Sequence, residues 1–567
     1  MRPVRLLAFC ISCFLLLPAC SVPEREGEVA SGGERFDGTK PAVRFSDEAG
    51  VLVKKRTISL SAPDGCCIHY TTDGSVPTQA SPLYQGPIKL SRKGNRWVDQ
   101  ETSALMAARS DGKMLYPVRV SSRLPGANVI RAVAVAPDGT YGEVVTKTYF
   151  VGTDLKKTFR DVMVISMVTD PDNLLDYEKG ILASGKLFDE WASTPAAASV
   201  KESKEWWKVD ANYMQKGKAW ERPASLELFD ASDTLTVRQD CGIRLKGSVS
   251  RMYPQKSWNI SFKGEYGGSL DYPLFPDAVD ANTGKVITRY QSFSLRNGGN
   301  ETEYLKFKDS WIQSRVQDRD FSTQKSRIAV LFLNGEYWGH YNLIEKYDAK
   351  YVENHYGVAD PLIVKEHQLD EGKESDFHLY EELESFRDKD LSLDSNWEAF
   401  KQVMDVRSMA DYFATEIYIA NFDWRETKNT QLWRSVAVLP SNPYSDGRWR
   451  YMLFDTEFSS GLYGFEDTRP GADTFAKAMK EHPLFAAAMG NPEFREMFKA
   501  AITGIARKNF EPRDVEADLQ AWAKRWKRYM PDYYARFGDT SWGWRPNLRA
   551  TTFFFQRRSE YILPVLP

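Results

Sequence analysis

The sequence predicts a multidomain protein: an N-terminal all-β sandwich, then an α+β domain whose last part is helical. Three observations predict this. Residues 41–152 carry short alternating runs separated by turn clusters, at the spacing of a sandwich. From about residue 160 the apolar runs alternate with stretches of helical period. From Pro483 onward the helical period dominates. The 567 residues leave room for roughly two to four domains at about 150 residues each. Composition agrees with a folded chain: 42% hydrophobic, 27% charged and a net charge of −2. That balance excludes long disorder and coiled coil, and it leaves no basic excess for a nucleic-acid partner. Aromatics reach 13%, with 16 Trp, 27 Tyr and 31 Phe. Such a fraction either fills a core or lines grooves for sugars and planar ligands, and core packing is the commoner use.

The chain starts Met1-Arg-Pro-Val-Arg5, continues with the apolar run Leu6 to Leu17 and reaches Pro18-Ala19-Cys20. An apolar run of about a dozen residues is too short to span a bilayer of ~30 Å, so it reads as an export signal. Leu17-Pro18-Ala19-Cys20 resembles a bacterial lipobox. The resemblance implies a lipoprotein signal peptide over 1–19, lipidation of Cys20 and a polar tether over 20–40. The body would then be exported and lipid-anchored to the bacterial cell envelope, at the outer membrane or cell surface. Cys66, Cys67 and Cys241 show no C-x-x-C pair, so no zinc site is expected. H-E-x-x-H, G-x-S-x-G and G-x-G-x-x-G are all absent.

In the first block, Arg56-Thr-Ile-Ser-Leu-Ser61 alternates and Pro63-Asp64-Gly65 turns. Ile68-His-Tyr-Thr-Thr72 follows, closed by Asp73-Gly74-Ser75. Val129 to Val135 and Val144 to Phe150 flank the turn Pro137-Asp138-Gly139. The string Ile68 to Thr78, with Tyr84, Pro87-Ile88, Arg131-Ala132 and Thr148-Tyr149, resembles the chitobiase/β-hexosaminidase C-terminal-type module. It covers 41–152, with 92–127 as an insertion. The resemblance implies a non-catalytic sandwich of the kind that accompanies surface enzymes. Tyr70 or Tyr84 could contact a polysaccharide there, although packing is the favoured role for both.

In the second block, Val162 to Val168 is a buried strand, and 241–246 with 257–262 is a strand pair. Ile328 to Leu333 and Tyr341 to Ile344 flank Asn334-Gly335, a strong hairpin signal. Ser408 to Ala420 has helical period, with Met409, Tyr412, Phe413, Glu416 and Ile419 on one side. Gln431 to Trp433 and Trp449 to Phe454 read as strands, and Asn491-Pro492-Glu493 starts a later helix.

Two acidic segments can carry chemistry. Asn421-Phe-Asp423-Trp-Arg-Glu-Thr-Lys-Asn429 follows the 408–420 helix, and Asp455-Thr456-Glu457 ends a strand. Phosphoryl-transfer enzymes use such a layout. One carboxylate orients and deprotonates the acceptor hydroxyl, while an Asn and a second Asp hold Mg²⁺ against the phosphates. Two solvated loops built from turn-forming Asp and Asn give the same pattern. Gly242-Ile-Arg244-Leu-Lys246-Gly247-Ser248, with Arg251 and Lys256, concentrates cations and glycine, as an anion site needs. Gly335 to Glu345 runs from a hairpin towards a helix at 349–356, where an adenine hinge could lie.

Taken together these segments resemble the spore-coat protein H (CotH) kinase family. The marks are Gly242 to Ser248, Leu295-Arg-Asn297, Leu333-Asn-Gly-Glu-Tyr-Trp-Gly339 with Glu345, Asn421-Phe-Asp-Trp424 with Asn429, and Trp449 through Glu457. They span about 160–465 of a domain running over 160–567, with a helical part at 483–567. The resemblance implies an atypical protein-kinase-like fold and transfer of phosphate from ATP, with Mg²⁺ or Mn²⁺, to Ser/Thr of an envelope or surface protein. It makes Asp423 the catalytic carboxylate and Asp455 the main metal ligand, assisted by Asn429 and Glu457. Arg244, Lys246 and Glu345 are the nucleotide-binding candidates. Glu457 stands where many members carry a second Asp, Lys428 where many carry Asn, and Lys308-Asp309 where Arg-Asp is common. Two other readings stand beside transfer. One is a pseudokinase or glycan-binding adhesion lipoprotein. The weaker one is a glycoside hydrolase using Asp455 and Glu457, whose spacing of two suits that chemistry poorly.

Overall fold

A computed structural model describes residues 40–53, 57–94, 124–203, 205–230, 232–538 and 540–566. The expected signal segment, Cys20, nearly all of the expected tether and most of the expected 92–127 insertion lie outside the described residues. Among the described residues no helix is long and apolar enough to cross a membrane.

The N-terminal module is built on a four-stranded sheet. Strands β1 (Gly50–Leu52), β2 (Cys67–Thr71), β3 (Asn128–Val135) and β4 (Val145–Val151) lie in the order β1-β4-β3-β2, parallel at β1–β4 and antiparallel elsewhere. Two short pairs, Arg44–Phe45 with Leu60–Ser61 and Thr57–Ile58 with Ile88–Lys89, lie beside it. Alternation sends Ile68, Ile130, Ala132, Tyr149 and Val151 into one small core. Tyr70 packs edge-on against Tyr84 at 6.4 Å, and the Tyr84 hydroxyl accepts the Leu60 N–H at 3.0 Å. Both tyrosines therefore serve packing.

The second unit is a closed barrel of seven strands. They are β5 (Met163–Val168), β6 (Arg222–Asp230), β7 (Val237–Lys246), β8 (Ser257–Ser261), β9 (Ser292–Arg296), β10 (Ser326–Leu333) and β11 (Glu336–Glu345). The ring runs β9-β8-β7-β6-β5-β10-β11 and returns to β9, with only β5–β10 parallel. Closure removes sheet edges. The hairpin at Asn334-Gly335 forms as its sequence requires, with φ of +48° and +81°. Inward residues such as Ile165, Leu228, Leu245, Trp258, Leu295 and Leu343 are buried and form one core. Alternate residues Val164, Phe229, Val330 and Phe332 face outward into a second core shared with the helices.

The N-terminal module is joined to this barrel. Phe150 packs edge-on against Phe229 at 5.6 Å and Phe332 at 5.0 Å, and the Thr148 and Ser166 hydroxyls share a hydrogen bond of 2.7 Å. The insertion's short strand Pro125–Gly126 pairs with β11 at Glu336.

A second antiparallel sheet follows, of β12 (Pro361–Lys365), β13 (Gln368–Glu371), β14 (Gln431–Ser435) and β15 (Arg450–Tyr451), in the order β13-β12-β14-β15. The expected strand at 449–454 thus pairs as a ladder only at its centre, with single bridges at Trp449 and Met452. Helix α1 (Val406–Ile419) is capped by Asp405, whose carboxylate accepts the Ser408 N–H at 3.2 Å. It stops at Ala420, which has a φ of +54°, so the chain turns sharply into 421–429. The long C-terminal helix α2 (Ser541–Ile562) returns to this point. Buried Arg558 donates to the carbonyls of Tyr418 at 3.0 Å, Ile417 at 2.8 Å, Pro470 at 2.6 Å and Ala472 at 2.8 Å. A cation there satisfies carbonyls that the end of α1 leaves open.

Candidate functional site

The outer face of β7, β8 and β9 looks towards the second sheet and the 421–429 loop, and a cavity of about 490 Å³ lies between them. That is the size range of small-ligand sites. On the barrel side the alternation that buries Leu245 and Leu295 turns Lys246 and Arg296 outward. On the other side stand Lys365, Glu366, Asp423, Lys428, Asn429, Asp455 and Glu457, with Lys346 at the junction.

Asp423, Asn429, Asp455, Glu457 and Lys246 are thus brought together. Arg244 and Glu345 are not among the lining residues. Arg244 shares a strand face with Lys246, but its guanidinium pairs with Glu221 at 3.4 Å. Glu345 is buried behind Gln324: it pairs with His355 at 2.7 Å and accepts the Lys325 N–H at 2.9 Å. It therefore ties the end of β11 to the 349–356 helix.

Arg296 is the centre of the acidic group. It pairs with Asp455, with Glu457 at 2.6 Å and with Asp309 at 3.6 Å, while its own side chain is only 8% exposed. Burial alone would raise the Asp455 carboxyl, but Arg296, Lys365 and Lys246 hold it below the usual carboxylate range. Asp455 therefore stays ionised at neutral pH and opens onto the cavity. Glu457 is deeper. Burial, with Asp455 and Asp309 nearby, pushes it up to about 8 despite Arg296. One of its oxygens takes Arg296 and the Asn300 N–H; the other is buried without a partner. Gly299 makes room for this carboxylate, since a Cβ there would lie 1.9 Å from it, at a φ of +56°.

Beneath the site, Asp309 accepts both the Thr456 N–H at 3.1 Å and its hydroxyl at 2.8 Å, which fixes the Asp455–Glu457 turn. Neighbouring Lys308 is fully buried, paired with Glu301, and donates to the Ser459 carbonyl at 3.2 Å.

The Asp423 loop is held as tightly. Asn429 donates its side-chain N–H to the Asp423 carbonyl at 3.1 Å, which leaves its oxygen as the acceptor. Its backbone N–H goes to Glu366 at 2.9 Å. Lys428 pairs with the Asp423 carboxylate. Glu366, Asn429 and Asp455 have φ of +52°, +58° and +60°, a left-handed conformation uncommon outside glycine. Backbone strain of this kind persists where the surroundings fix it, and here three instances line one cavity.

Four cations face the acids. Burial, then Arg296 and Lys365, push Lys246 down to about 7, and its ammonium has no hydrogen-bond or ion-pair partner among the described residues. Lys365 lies over the Phe454 ring at 4.6 Å, Lys346 is 3.7 Å from Asp348, and Lys216 lines the rim. The Gly247 turn is clamped from behind: Arg251 donates to the Gly247 carbonyl at 2.6 Å and that of Leu245 at 2.8 Å. Arg251 is thus structural, as is buried Lys256 over the Tyr213 ring at 4.3 Å.

The donor set fits a hard cation beside polyphosphate. Asp455 and Asn429 offer oxygens of the kind Mg²⁺ takes, and a buried Glu457 oxygen is left unpaired behind them. Lys246, Lys346 and Lys365 supply point charges for phosphates.

One further cluster adjoins the loop. His367 lies 3.7 Å from both Glu384 and Glu426, a metal-like grouping. Arg387 pairs with the same two glutamates at 2.8 and 2.5 Å, so the group is a closed ion-pair knot. It fixes Glu426, which belongs to the 421–429 loop.

Sequence reasoning missed Arg296, Lys346, Lys365 and Glu366 as site residues. Arg296 had a signal, since Leu295-Arg-Asn297 was among the family marks. The other three come into the cavity only through tertiary packing.

The comparisons agree with this architecture. A family model described as Fn3 associated matches residues 57–149, the N-terminal β-rich module. No curated protein matches the chain. A family model described as CotH kinase protein matches residues 243–562, from the middle of β7 to the end of α2. That is more than half of the chain, so the protein belongs to the CotH kinase protein family.

Proposed function

We propose that the protein is a phosphotransferase that moves the terminal phosphoryl group of ATP, with Mg²⁺ or Mn²⁺, onto Ser/Thr hydroxyls of an envelope or surface protein. The observation that carries this reading is the convergence of Asp423, Asn429 and Asp455 with Lys246, Lys346 and Lys365 on one cavity. Phosphoryl transfer asks a protein mainly for positioning and charge compensation, and this cavity supplies both.

Asp423 accepts the proton of the acceptor hydroxyl at its carboxylate, and Lys428 holds that carboxylate in place. Asp455 and the Asn429 oxygen would hold the divalent ion. When bound, the ion would supply positive charge to offset that of the phosphates. Lys246, Lys346 and Lys365 bind phosphate oxygens. Arg296 orients Asp455, and Glu457 with Asp309 orients Arg296.

The lipobox-like start supports a further part of the proposal, that the enzyme is exported and anchored to the bacterial envelope through Cys20. The N-terminal module can then meet envelope polysaccharide. A second reading, a nucleotide-binding pseudokinase, draws on the closed Arg296–Asp455 pair, which a metal must share. The test is label transfer from γ-labelled ATP by residues 20–567, with Asp423→Ala and Asp455→Ala alongside. Transfer lost in both variants supports the enzyme. Nucleotide binding without transfer under any divalent ion supports the pseudokinase.

A further inference from the structure

We infer that the face beside the cavity is a docking ridge for the acceptor polypeptide, selecting apolar side chains next to the hydroxyl to be phosphorylated. The inference rests on the phosphotransferase reading and adds a substrate class to it.

Six aromatic residues form one continuous row: Phe422, Phe458, Phe465, Tyr463, Tyr304 and Trp542. Neighbouring ring centres lie 4.8 Å apart at Phe422–Phe458, 5.6 Å at Phe422–Phe465, 5.3 Å at Phe458–Tyr463, 5.8 Å at Tyr304–Tyr463 and 6.0 Å at Tyr304–Trp542. Half of the row is exposed: Tyr463 is 41%, Phe465 45% and Trp542 68% accessible, while Phe422, Phe458 and Tyr304 are half-buried. Rings left partly in water cost stability relative to burial, so a contiguous, partly exposed row marks an interaction surface.

Its occupant follows from where the row begins. Phe422 immediately precedes Asp423. At the opposite lip, the Tyr463 hydroxyl donates to the carbonyl of Asn300, a residue of the cavity wall, at 3.0 Å. The ridge is thus continuous with the reactive centre on two sides, and what lies on it is the part of the acceptor flanking the hydroxyl. The backbone is bent to present it: Ser460 and Tyr463 have φ of +50° and +58° in the same segment as Asp455. Beside Phe465, Glu466 and Asp467 are exposed, complementary to a basic residue on the acceptor.

Ring geometry favours a polypeptide over a sugar. Pyranose rings stack on open, parallel aromatic faces. Here Tyr304–Tyr463 meet at 73°, Tyr304–Trp542 at 86° and Phe458–Tyr463 at 82°, while Phe422–Phe458, Phe458–Phe465 and Tyr463–Phe465 are tilted at 43°, 45° and 53°. Edge-to-face contacts leave notches suited to Leu, Met or Phe side chains, the anchors that dominate peptide docking.

The test uses the chain from residue 20 and two fluorescein-labelled serine peptides. One carries Leu and Phe beside the serine and a Lys pair at its end; in the other Gln replaces Leu and Phe. Anisotropy is read without nucleotide, so it does not depend on transfer. The expected result is at least a tenfold preference for the apolar peptide. In Phe465→Ala/Trp542→Ala that preference falls about tenfold, and the transfer KM for the apolar peptide rises with it. Both side chains are exposed, so the fold should survive, which a retained Mg·ATP thermal shift checks. Equal affinity for the two peptides, or binding unchanged in the double variant, overturns the ridge. So does displacement of the peptide by a β-linked gluco-oligosaccharide. Absence of transfer with peptide binding retained counts against the phosphotransferase reading alone.

Discussion

Arg296 reaches across the cavity from strand β9 to Glu457 at 2.6 Å, and with the same terminal nitrogen it pairs with Asp455. Two acids separated from it by some 160 positions in sequence are thereby held to the barrel. One guanidinium thus joins the structural problem of burying acids to the functional problem of keeping Asp455 ionised.

Arg296→Ala should therefore be doubly damaging. It leaves Asp309 and Asp455 without their common counter-ion and Glu457 without its buried hydrogen-bond donor. Removing one partner of a buried ion pair costs about 3–5 kcal/mol. Denaturant unfolding checks this, and Arg296→Lys should recover only part of the loss, because a single ammonium cannot also serve Asp309, which Arg296 meets through its other terminal nitrogen at 3.6 Å.

Asp423 and Asp455 should fail differently. Asp423→Asn removes the proton acceptor but no phosphate contact, so transfer falls by about 10²–10⁴ while Mg·ATP binding persists. Asp455→Asn should abolish the dependence of nucleotide binding on the divalent ion. Single-turnover transfer and a metal titration separate the two.

Lys246 gives a signed pH prediction. Its folded pKa of about 7 lies below the free value near 10.4, so the unfolded chain binds more protons between those pH values. This residue therefore penalises the fold most at low pH, and stability rises with pH from about 7 to 10. Phosphate on Lys246 reverses the depression, so nucleotide binding near pH 8 should take up as much as about one proton. Calorimetry in buffers of different ionisation enthalpy measures that uptake. Lys246→Met should gain about 1–2 kcal/mol of stability while losing nucleotide affinity and the proton uptake.

His367 predicts the opposite slope. The Glu426 carboxylate 3.7 Å away, with Glu384 close by, raises its pKa in the fold despite some burial and Arg387. A base raised on folding stabilises below its unfolded pKa, and that contribution is lost as pH rises through the folded value. The wild type should lose melting temperature between pH 6 and 8 relative to His367→Gln. Because Glu426 sits in the Asp423 loop, the transfer rate should follow the same titration.

Much of this arrangement was legible in the sequence because its signals are local. The Asn334-Gly335 turn, the 408–420 helical period against an observed Val406–Ile419, and the Asp423, Asn429 and Asp455 placements each depend on a few neighbouring residues. What was not legible depends on closure of the barrel. Arg244 and Lys246 sit on one strand face, and only the position of Glu221 decides that Arg244 turns away. Glu345 lies in a family-like stretch, yet His355 captures it. The aromatic excess divides in the same way. Trp526 and Trp544 are core residues beneath the C-terminal helices, packed with Phe307, whereas Trp542, two positions away, is 68% exposed. A 22-residue helix with both faces occupied gives no periodic hint of that difference.

The C-terminal helix should matter to the cavity without lining it. Arg558→Ala uncaps the end of α1 and leaves buried carbonyls unsatisfied, at a cost on the order of 3 kcal/mol. Hydrogen exchange should then rise across 417–424, and transfer should fall with nucleotide affinity little changed.

The measurement that bears most directly on the central claim is a calorimetric titration of Mg·ATP into the chain from residue 20, repeated with Lys246→Ala and Asp455→Ala. Saturable binding in the wild type, weakened at least tenfold by Lys246→Ala and stripped of its Mg²⁺ dependence by Asp455→Ala, is the predicted result. Absence of nucleotide binding to the wild type, or binding indifferent to both substitutions, would contradict the assignment of this cavity to a metal-bound nucleotide.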